Sequence, residues 1–488
     1  MKKVIVIGAG IAGLASALRL RAKGYDVSVF ESNSYAGGKL HALESKGYRF
    51  DYGPSLFTMP HFVNELFELH NEDPKSRFNY SQKDIICNYF WDDGTRFSAP
   101  ADRAVFVQEA AEVFSEPKSH LNKYLADSKK KYDLTAGLFL EKSLHKSSTY
   151  LSTTALKSVL QSGGLSLTKT LNEVNQKHFD HPKLVQLFNR YATYNGSDPY
   201  VTPGIMSLIP HLEMQFGTFY PKGGMHEISQ SLYRLAVDKG VAFHFNATVD
   251  EVLHEKGQVK GIVSGEETYF AEMVVCNMDV FSAYQSILKD VKPPAKVLKQ
   301  ERSSSALIFY WGVKKSFPEL DLHNIFFSND YKEEFKTIFQ KNSIVEDPTV
   351  YINITSKEDP EHAPKNAENW FVMINTPSNQ GQDWDTLKKE AKRNVLRKLS
   401  YALKTDIETL IETEITLDPI RIEADTHSHQ GSLYGTSSNS KFAAFLRHPN
   451  FSSSIKNLYF CGGSAHPGGG IPLCLLSAKI VSDLIPAA

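Results

Sequence analysis

Residues 4–13 read VIVIGAGIAG, and this stretch decides the fold of the chain. Its four β-branched residues predict a buried strand, which runs directly into three glycines spaced as GxGxxG. Apolar residues then recur at helical spacing over residues 14–20. A strand, a glycine turn and a helix in this order are typical of a βαβ dinucleotide site, where free amides at the helix N-terminus face a pyrophosphate.

An acidic residue follows where such a site requires one. Residues 25–30 (YDVSVF) predict a second strand, and Glu31 stands at its end, eighteen residues after Gly13. A carboxylate in this place accepts hydrogen bonds from both ribose hydroxyls of an adenosine, and it repels the 2′-phosphate of NADP. From this unit, the residues that we expect to contact the dinucleotide are Gly8, Gly10, Ile11, Ala12, Gly13, Glu31 and Ser32.

The chain does not continue as a nicotinamide-binding domain would, with alternating strands and helices. Two turns follow instead, residues 34–39 (SYAGGK) and 49–55 (RFDYGPS). The glycines at 37 and 38 permit a positive φ and a close approach of the backbone, and Lys39 would place a cation near the phosphates. From these turns we expect contacts by Gly37, Gly38, Lys39, Gly53, Pro54 and Ser55.

Both turns carry a family resemblance. Residues 31–39 resemble the second fingerprint of the FAD-containing amine oxidase and phytoene desaturase superfamily, and residues 51–55 look like its desaturase branch. Three later segments are similar to motifs of the same superfamily and occur in its order, namely 220–225 (YPKGGM), 431–435 (GSLYG) and 458–473 (LYFCGGSAHPGGGIPL). The resemblance spans the whole chain and implies that the cofactor is FAD.

The last of these segments has five glycines within residues 462–470, directly after an apolar strand. Because glycine has no side chain, such a run lets the backbone pass very close to a flat group. In the superfamily this strand, turn and helix contact the flavin, and helix amides stabilise negative charge on its reduced ring. By this resemblance we assign further cofactor contacts to Val249, Gly462, Gly463, Gly470, Ile471 and Pro472.

Cys461 and Cys474 flank the same signature and raise the question of a covalent flavin link. Their spacing does not match the motif of amine oxidases that carry such a link, so we expect FAD to bind non-covalently. The four cysteines show no Cys/His spacing of a metal site, and we expect no metal. This cysteine usage fits a reducing cytosol.

Composition narrows the remaining possibilities. At 488 residues the chain exceeds what one hydrophobic core usually supports, so two domains are expected. A net charge of −1 without a basic tract argues against a nucleic-acid partner. The first strand leaves no room for a signal peptide, and no apolar run approaches the ~20 residues of a membrane-spanning helix. We expect a cytoplasmic protein, peripherally associated with the inner face of the cell membrane.

The order of predicted elements indicates an α/β protein with two interleaved domains and a helical lid. The three stretches of the Rossmann-like FAD-binding domain, of the GR2/amine oxidase-like type, are 1–75, 222–285 and 452–488. The three stretches of the mixed-sheet substrate domain are 76–110, 180–221 and 286–451. Residues 111–179 would form the helical lid or a membrane-facing segment.

Within the substrate domain the pattern predicts a sheet covered by a helix. The predicted strands are 306–311, 349–354 and 370–374, and the helix is 384–403. In the lid, residues 121–171 are helical in pattern and mix lysines with apolar residues, of which Leu156, Val159 and Leu160 form the sharpest stripe. This surface suits anionic lipid headgroups, and a solvent-exposed lid fits the pattern equally well.

The resemblance implies that two hydrogens leave adjacent carbons of the substrate, with hydride transfer to flavin N5, because no side chain is a reversible two-electron sink. Adjacent double bonds stabilise the developing allylic cation, so a modest proton acceptor suffices and we assign no catalytic residue. His466 is a candidate acceptor, but a histidine beside Pro467 in a turn is more often structural. Oxygen or a quinone would accept the electrons afterwards.

Two departures from the phytoene desaturase pattern bear on the substrate. Residues 473–476 (LCLL) follow the Ile-Pro pair, and Ser464-Ala465 stands where Gly-Thr is frequent. Both look more like the branch acting on hydroxylated carotenoids, the 1-hydroxycarotenoid 3,4-desaturases. We therefore expect a carotenoid substrate and a membrane surface as partners. A phytoene-type desaturase, a redox-neutral carotenoid isomerase, a flavin amine oxidase and a non-enzymatic flavin-binding protein are the alternatives.

Overall fold

The computed structural model describes residues 1–146, 149, 165–440 and 447–488. The strands, in chain order, are β1 (Lys3–Ile7), β2 (Asp26–Phe30), β3 (Ala42–Ser45), β4 (Tyr48–Asp51), β5 (Tyr80–Gln82), β6 (Ile85–Phe90), β7 (Arg96–Pro100), β8 (Phe219–Pro221), β9 (Ala242–His244), β10 (Glu251–Glu255), β11 (Gln258–Ser264), β12 (Glu267–Phe270), β13 (Met273–Cys276), β14 (Ser305–Val313), β15 (His323–Phe326), β16 (Val350–Ile354), β17 (Glu368–Thr376), β18 (Ile411–Leu417) and β19 (Leu458–Phe460).

The α-helices among the described residues are α1 (Ile11–Ala22), α2 (His61–Glu68), α3 (Pro74–Arg77), α4 (Arg103–Phe114), α5 (Lys118–Thr135), α6 (Leu171–His178), α7 (Pro182–Asn189), α8 (Ile209–Met214), α9 (His226–Asp238), α10 (Val280–Ser286), α11 (Ala295–Leu298), α12 (Tyr331–Gln340), α13 (Trp384–Leu403), α14 (Pro419–Thr426) and α15 (Ile471–Leu484).

Five parallel strands in the order β19-β13-β1-β2-β9 form the first sheet, as expected for an α/β nucleotide-binding fold. The register places Ile7 beside Phe30 and Cys276, and Cys276 beside Phe460. The carboxyl ends of four strands therefore meet at one edge, although they come from the beginning, the middle and the end of the chain. In parallel sheets, ligands bind outside this edge.

Both faces of the parallel sheet are covered. Helices α1, α9 and α15 pack on one face, with Leu14, Leu232 and Leu475 in a common core. On the other face lies the antiparallel sheet β10-β11-β12, whose Val252 shares a core with Ile5 of β1. Strand β1 reads as an uninterrupted β-branched run because both of its faces are buried.

A tight hairpin joins β10 to β11. Strand β10 spans Glu251–Glu255, and the turn residues Lys256 and Gly257 have φ values of 50° and 71°. Two consecutive positive φ values are typical of a type I′ turn, whose twist matches that of the paired strands. Val249 thus precedes the strand.

The second large sheet has seven strands in the order β18-β14-β17-β16-β15-β6-β7, and its pairs are antiparallel except β15 with β6. The three predicted strands are confirmed as β14, β16 and β17, and the predicted helix as α13. One face of this sheet packs against α13, with Val395 and Leu399 against Trp311 and Val372. On the other face, Tyr310 and Phe371 pack in a smaller core with Phe50.

The segment 111–179, which is predicted to form a lid or a membrane-facing segment, is described in part. Helix α5 confirms the start of the predicted helical stretch, and a π-helical turn follows over Ala136–Leu140. The predicted apolar stripe of Leu156, Val159 and Leu160 lies outside the described residues. Among the helices that the structure describes, none combines the length and the apolar character needed to cross a membrane.

Candidate active site

A cavity of about 690 Å³ lies between the carboxyl edge of the parallel sheet and one face of the seven-stranded sheet. Predicted cofactor contacts come together here from five separate segments of the chain. Those that line the cavity are Gly8, Gly10, Ile11, Ala12, Glu31, Ser32, Gly37, Gly38, Lys39, Gly53, Pro54, Ser55, Val249, Gly462, Gly463, Gly470, Ile471 and Pro472.

Gly13 is the one predicted contact that does not line the cavity. A Cβ atom at Gly13 would stand 2.0 Å from the carbonyl oxygen of Gly8, so only glycine lets α1 lie this close to the end of β1. The turn itself is made at Gly8, whose φ is 93°. We therefore assign Gly13 a packing role, and its contact with the dinucleotide stays a prediction.

Two helix N-termini open onto this cavity. Helix α1 begins after Gly10 and α15 begins after Gly470, and within the described part of the chain no side chain caps either of them. Uncapped amides and the helix dipole together attract negative charge. Gly470 has a φ of 102°, and a Cβ there would meet no protein atom within 4 Å, so its backbone borders open space. The site thus presents bare backbone from both ends of the chain.

Glu31 is buried, and its carboxylate is held by the backbone. One oxygen accepts the Ala9 amide at 2.7 Å, and the other accepts the Asn33 amide at 2.9 Å and the Ser32 hydroxyl at 3.3 Å. An ionised carboxylate has about four acceptor sites, so capacity remains for a ribose hydroxyl. The geometry agrees with the position predicted for the acidic residue.

Lys39 makes a contact that the sequence does not predict. Its Nζ donates to the carbonyl oxygen of Leu433 at 3.2 Å and approaches that of Ser432 at 3.5 Å. Burial lowers the pKa of Lys39 to about 8, and the negative charge of Asp279 opposes this shift. Lys39 therefore connects the predicted turn at 34–39 to the motif at 431–435, in the opposite half of the chain.

Side chains of the seven-stranded sheet form the facing wall. Ile325 pairs with Tyr351, Tyr351 with Met373, Met373 with Ile308, and Ile308 with Leu417. All five line the cavity, and they form one row across β15, β16, β17, β14 and β18. At about 4.8 Å between strands, four steps give an apolar row about 19 Å long. Such a wall suits a long, extended hydrocarbon.

Polar groups stand at the β15 end of this row. The Tyr351 hydroxyl lies 2.9 Å from the Ser55 hydroxyl and 2.7 Å from His323 Nδ1. Burial lowers the pKa of His323 to about 3, and the charges of Lys83 and Arg190 lower it further. His323 is therefore neutral at physiological pH.

A buried ion pair also lines the cavity, formed by Arg190 and Glu213 at 2.8 Å. Sequence reasoning missed this pair because the two residues lie on separate short helical segments and carry no motif. It also missed Asn277, whose Nδ2 donates to the carbonyl oxygen of Gly8 at 3.3 Å. Asn277 directly follows β13, and the rule that ligands bind at the carboxyl ends of parallel strands points to it.

The structure favours the structural interpretation of His466. This residue is buried and does not line the cavity; its Nε2 donates to the carbonyl oxygen of Lys142 at 2.9 Å. Its own carbonyl oxygen accepts hydrogen bonds from Asn450 and Ser477. Burial lowers the pKa of His466 to about 4. It connects the C-terminal signature to Lys142, within the segment 111–179.

Comparison with known proteins agrees with this geometry. Residues 11–486 match the family described as flavin containing amine oxidoreductase. The chain is 60% identical over 486 residues to a 1-hydroxycarotenoid 3,4-desaturase of Flavobacterium sp. (strain P99-3). The aligned region covers 100% of this chain and 99% of that protein. The chain is 31% identical over 500 residues to a 4,4'-diapophytoene desaturase (4,4'-diaponeurosporene-forming) of Staphylococcus aureus (strain Newman), covering 99% and 98%.

Solved structures show the same fold. Cyclohexylamine oxidase from Brevibacterium oxydans IH-35A superposes with a TM-score of 0.62 at 17% identity, covering 99% of this chain and 98% of that one. An oxidoreductase from Methanosarcina mazei superposes with a TM-score of 0.64 at 15% identity, covering 99% and 100%. At this level of identity the likeness concerns the fold alone.

The residues present fit FAD. Glycine turns from both ends of the chain, the amides at the starts of α1 and α15, and the Glu31 carboxylate surround one cavity. The protein is an FAD-dependent oxidoreductase, and the chain belongs to the flavin-containing amine oxidoreductase family.

Proposed function

We propose that this enzyme is a carotenoid desaturase that introduces a C=C bond at the 3,4 position of a hydroxylated carotenoid. The observation that carries the proposal is the apolar row from Ile325 to Leu417, which lines the same cavity as the cofactor cradle. A long polyene has few hydrogen-bonding groups, so its site is expected to be apolar with polar groups near one functional end. The full-length similarity to a 1-hydroxycarotenoid 3,4-desaturase supports this substrate class.

FAD would be held non-covalently by the predicted contact residues that line the cavity and by Asn277, which lines it too. Cys474 also lines the cavity, but burial raises the pKa of its thiol to about 11, and a protonated thiol is a poor nucleophile. When bound, FAD supplies a two-electron sink that takes a hydride at N5. The other hydrogen leaves the neighbouring carbon as a proton.

The chain's own part in this proposal is to align the substrate and to exclude water. The row on the seven-stranded sheet would hold the polyene extended, because rigid apolar contacts along its length leave it little freedom. Conjugated double bonds stabilise the developing positive charge on the substrate, so a strong base is unnecessary. We assign no catalytic acid or base.

We retain the interleaved domain division as part of this proposal. Residues 1–75, 222–285 and 452–488 would hold the cofactor, and 76–110, 180–221 and 286–451 would hold the substrate. The seven-stranded sheet is built from residues of the second set, and the five-stranded parallel sheet from residues of the first. This distribution supports the division, with residues 111–179 as the lid.

We also propose that the enzyme works in the cytoplasm at the inner face of the cell membrane, where carotenoids dissolve. Helix α5 supports this with four exposed lysines, Lys118, Lys123, Lys129 and Lys130. Juxtaposed lysines are attracted to anionic lipid headgroups. Wild-type enzyme should sediment with phosphatidylglycerol vesicles but not with phosphatidylcholine vesicles, and replacing the four lysines by glutamine should reduce sedimentation. Enzyme that stays in the supernatant with both lipids would refute membrane binding.

The electron acceptor is proposed to be oxygen or a quinone. Reduced enzyme should be reoxidised by at least one of them at a rate no slower than turnover. Stopped-flow absorbance with air-saturated buffer, and separately with a soluble quinone, would distinguish the two. Failure of both would exclude this part of the proposal.

Anaerobic mixing of the holoenzyme with a 1-hydroxycarotenoid tests the central proposal. The oxidised flavin absorbance should bleach, and the product should be lighter by two hydrogens. An isomerase would leave the mass unchanged, an amine oxidase would be bleached by amines, and a phytoene-type desaturase would be bleached by carotenes without a hydroxyl. Oxidised flavin that persists with every carotenoid would contradict a desaturase.

A further inference from the structure

We infer that Arg190, Glu213 and His323 form a subsite that binds the hydroxyl group of the carotenoid. This inference rests on the proposed function and assigns the polar end of the substrate to named residues. All three side chains are buried, and all three residues line the cavity that holds the apolar row.

Stability does not explain the ion pair. The side chains of Arg190 and Glu213 are 8% and 2% exposed, and the guanidinium lies 4.3 to 5.7 Å from the ring centroids of Tyr89, Tyr191 and Tyr194. Replacing a buried ion pair by apolar residues of similar volume is often neutral or stabilising. A charged pair kept beside an apolar wall therefore indicates a binding role.

Two buried nitrogens of this cluster have no partner among the residues that the structure describes. Arg190 uses Nη2 for Glu213 at 2.8 Å and Nη1 for the Tyr194 hydroxyl at 3.4 Å, and its Nε–H is left over. His323 uses Nδ1 for the Tyr351 hydroxyl at 2.7 Å, and its Nε2 is left over. Buried polar atoms without partners are rare in folded proteins. Both fit a ligand oxygen.

The same cluster offers an acceptor. One oxygen of Glu213 accepts from Arg190 and the other accepts from the Tyr194 hydroxyl at 3.0 Å. A carboxylate has about four lone-pair sites, so Glu213 retains capacity for a further donor. An alcohol hydroxyl both accepts and donates hydrogen bonds, so a site that binds it needs a donor and an acceptor. The hydroxyl is also neutral, which suits a cluster whose two charges cancel.

The position of the cluster agrees with the chemistry. A hydroxyl on C1 is separated from the C3–C4 bond by a single intervening carbon, so its subsite has to lie close to the cofactor. His323 meets this requirement, because its Nδ1 lies 2.7 Å from the Tyr351 hydroxyl, which lies 2.9 Å from the hydroxyl of Ser55, a predicted cofactor contact. Arg190 packs over the ring of Tyr89, which pairs with Ile325, two residues after His323.

The test compares two substrates, a 1-hydroxycarotenoid and the same carotenoid without its hydroxyl, on the purified holoenzyme. Wild type should prefer the hydroxylated substrate by about 100-fold in kcat/KM, because the analogue leaves buried polar groups unpaired. The double variant Arg190→Met, Glu213→Leu should lose that preference through weaker use of the hydroxylated substrate, with the other substrate retained. His323→Phe keeps the ion pair and should lower the preference about tenfold, the effect of one hydrogen bond.

A matched control replaces a second ion pair, Arg19 with Glu65, which does not line the cavity. The variant Arg19→Met, Glu65→Leu should keep the wild-type preference. An unchanged preference in both the Arg190/Glu213 variant and His323→Phe would overturn the inference, as would equal loss on both substrates at full FAD content. If the double variant fails to bind FAD, Arg190→Lys and His323→Phe are measured instead, and the ratio of their kcat/KM values for the two substrates decides the question. Wild type that bleaches with neither substrate would refute the proposed function itself.

Discussion

The Glu31 carboxylate accepts a hydrogen bond from the backbone amide of Ala9 at 2.7 Å. This contact joins the end of β2 to the glycine turn after β1. The acidic side chain and the turn are therefore positioned together by the protein itself. A site whose polar groups are already in place loses less conformational freedom when its ligand binds.

Glu31→Gln should weaken FAD binding by about 10- to 100-fold, because hydrogen bonds to charged groups contribute about 1.5–3 kcal/mol. The substitution keeps the shape of the side chain but removes its charge. Titration of apoenzyme with FAD, followed by flavin fluorescence, measures the affinity. Glu72→Gln is the control, since Glu72 pairs with Lys239 away from the cavity. Equal affinity for wild type and Glu31→Gln would contradict the assignment.

Gly13→Ala should destabilise the holoenzyme by about 1–3 kcal/mol, the usual effect of forcing an extra methyl into a packed region. The new Cβ would stand 2.0 Å from the Gly8 carbonyl oxygen. Urea unfolding gives the free energy of unfolding. Gly137→Ala, where a Cβ would meet no atom within 4 Å, serves as the control and should leave stability unchanged or slightly higher. Similar stability of the two variants would refute the packing role of Gly13.

The fold should lose stability in mild acid. Burial lowers the pKa of His211, His226, His448 and His466 to about 4, and that of His323 to about 3. The unfolded chain therefore binds more protons than the folded one below pH 6.5, so stability falls as pH drops toward 4. Each histidine, titrating alone, would contribute about 2 kcal/mol between pH 6.5 and pH 5.

The histidine effect can be measured one residue at a time. His466→Gln should flatten the dependence of Tm on pH between 7 and 5, because one proton-linked group is removed. A slope that does not change in His466→Gln would show that this histidine titrates normally.

Tyr351→Phe should reduce the free energy of unfolding by about 1 kcal/mol, since its hydroxyl contacts both Ser55 and His323. A double-mutant cycle with Ser55→Ala isolates the contact between the two hydroxyls, which lie 2.9 Å apart. A coupling energy of about 0.5–1.5 kcal/mol is expected. Fully additive effects would argue against this hydrogen bond in solution.

Much of the cofactor cradle follows from local pattern. The run at 4–13 predicts β1, the turn and α1, because residue types and spacing within a few positions are enough to identify a β-branched strand and a GxGxxG turn. The helix predicted at 384–403 is confirmed for the same reason, since its apolar periodicity is regular over its whole length. Gly13 shows the limit of such patterns: the motif predicts a glycine, but not that the glycine packs against Gly8 instead of lining the cavity.

The amino-acid sequence by itself determined the α/β class, the two glycine-rich ends and the acidic residue Glu31, because periodicity and glycine placement act on the backbone within a few residues. Only the tertiary structure decided which side chains form the apolar row and the polar cluster. The row from Ile325 to Leu417 depends on the register of strands that are not consecutive in the chain, and the pairing of Arg190 with Glu213 depends on how separate helices pack. Register and helix packing are set by burial across the whole fold, which a single segment does not encode.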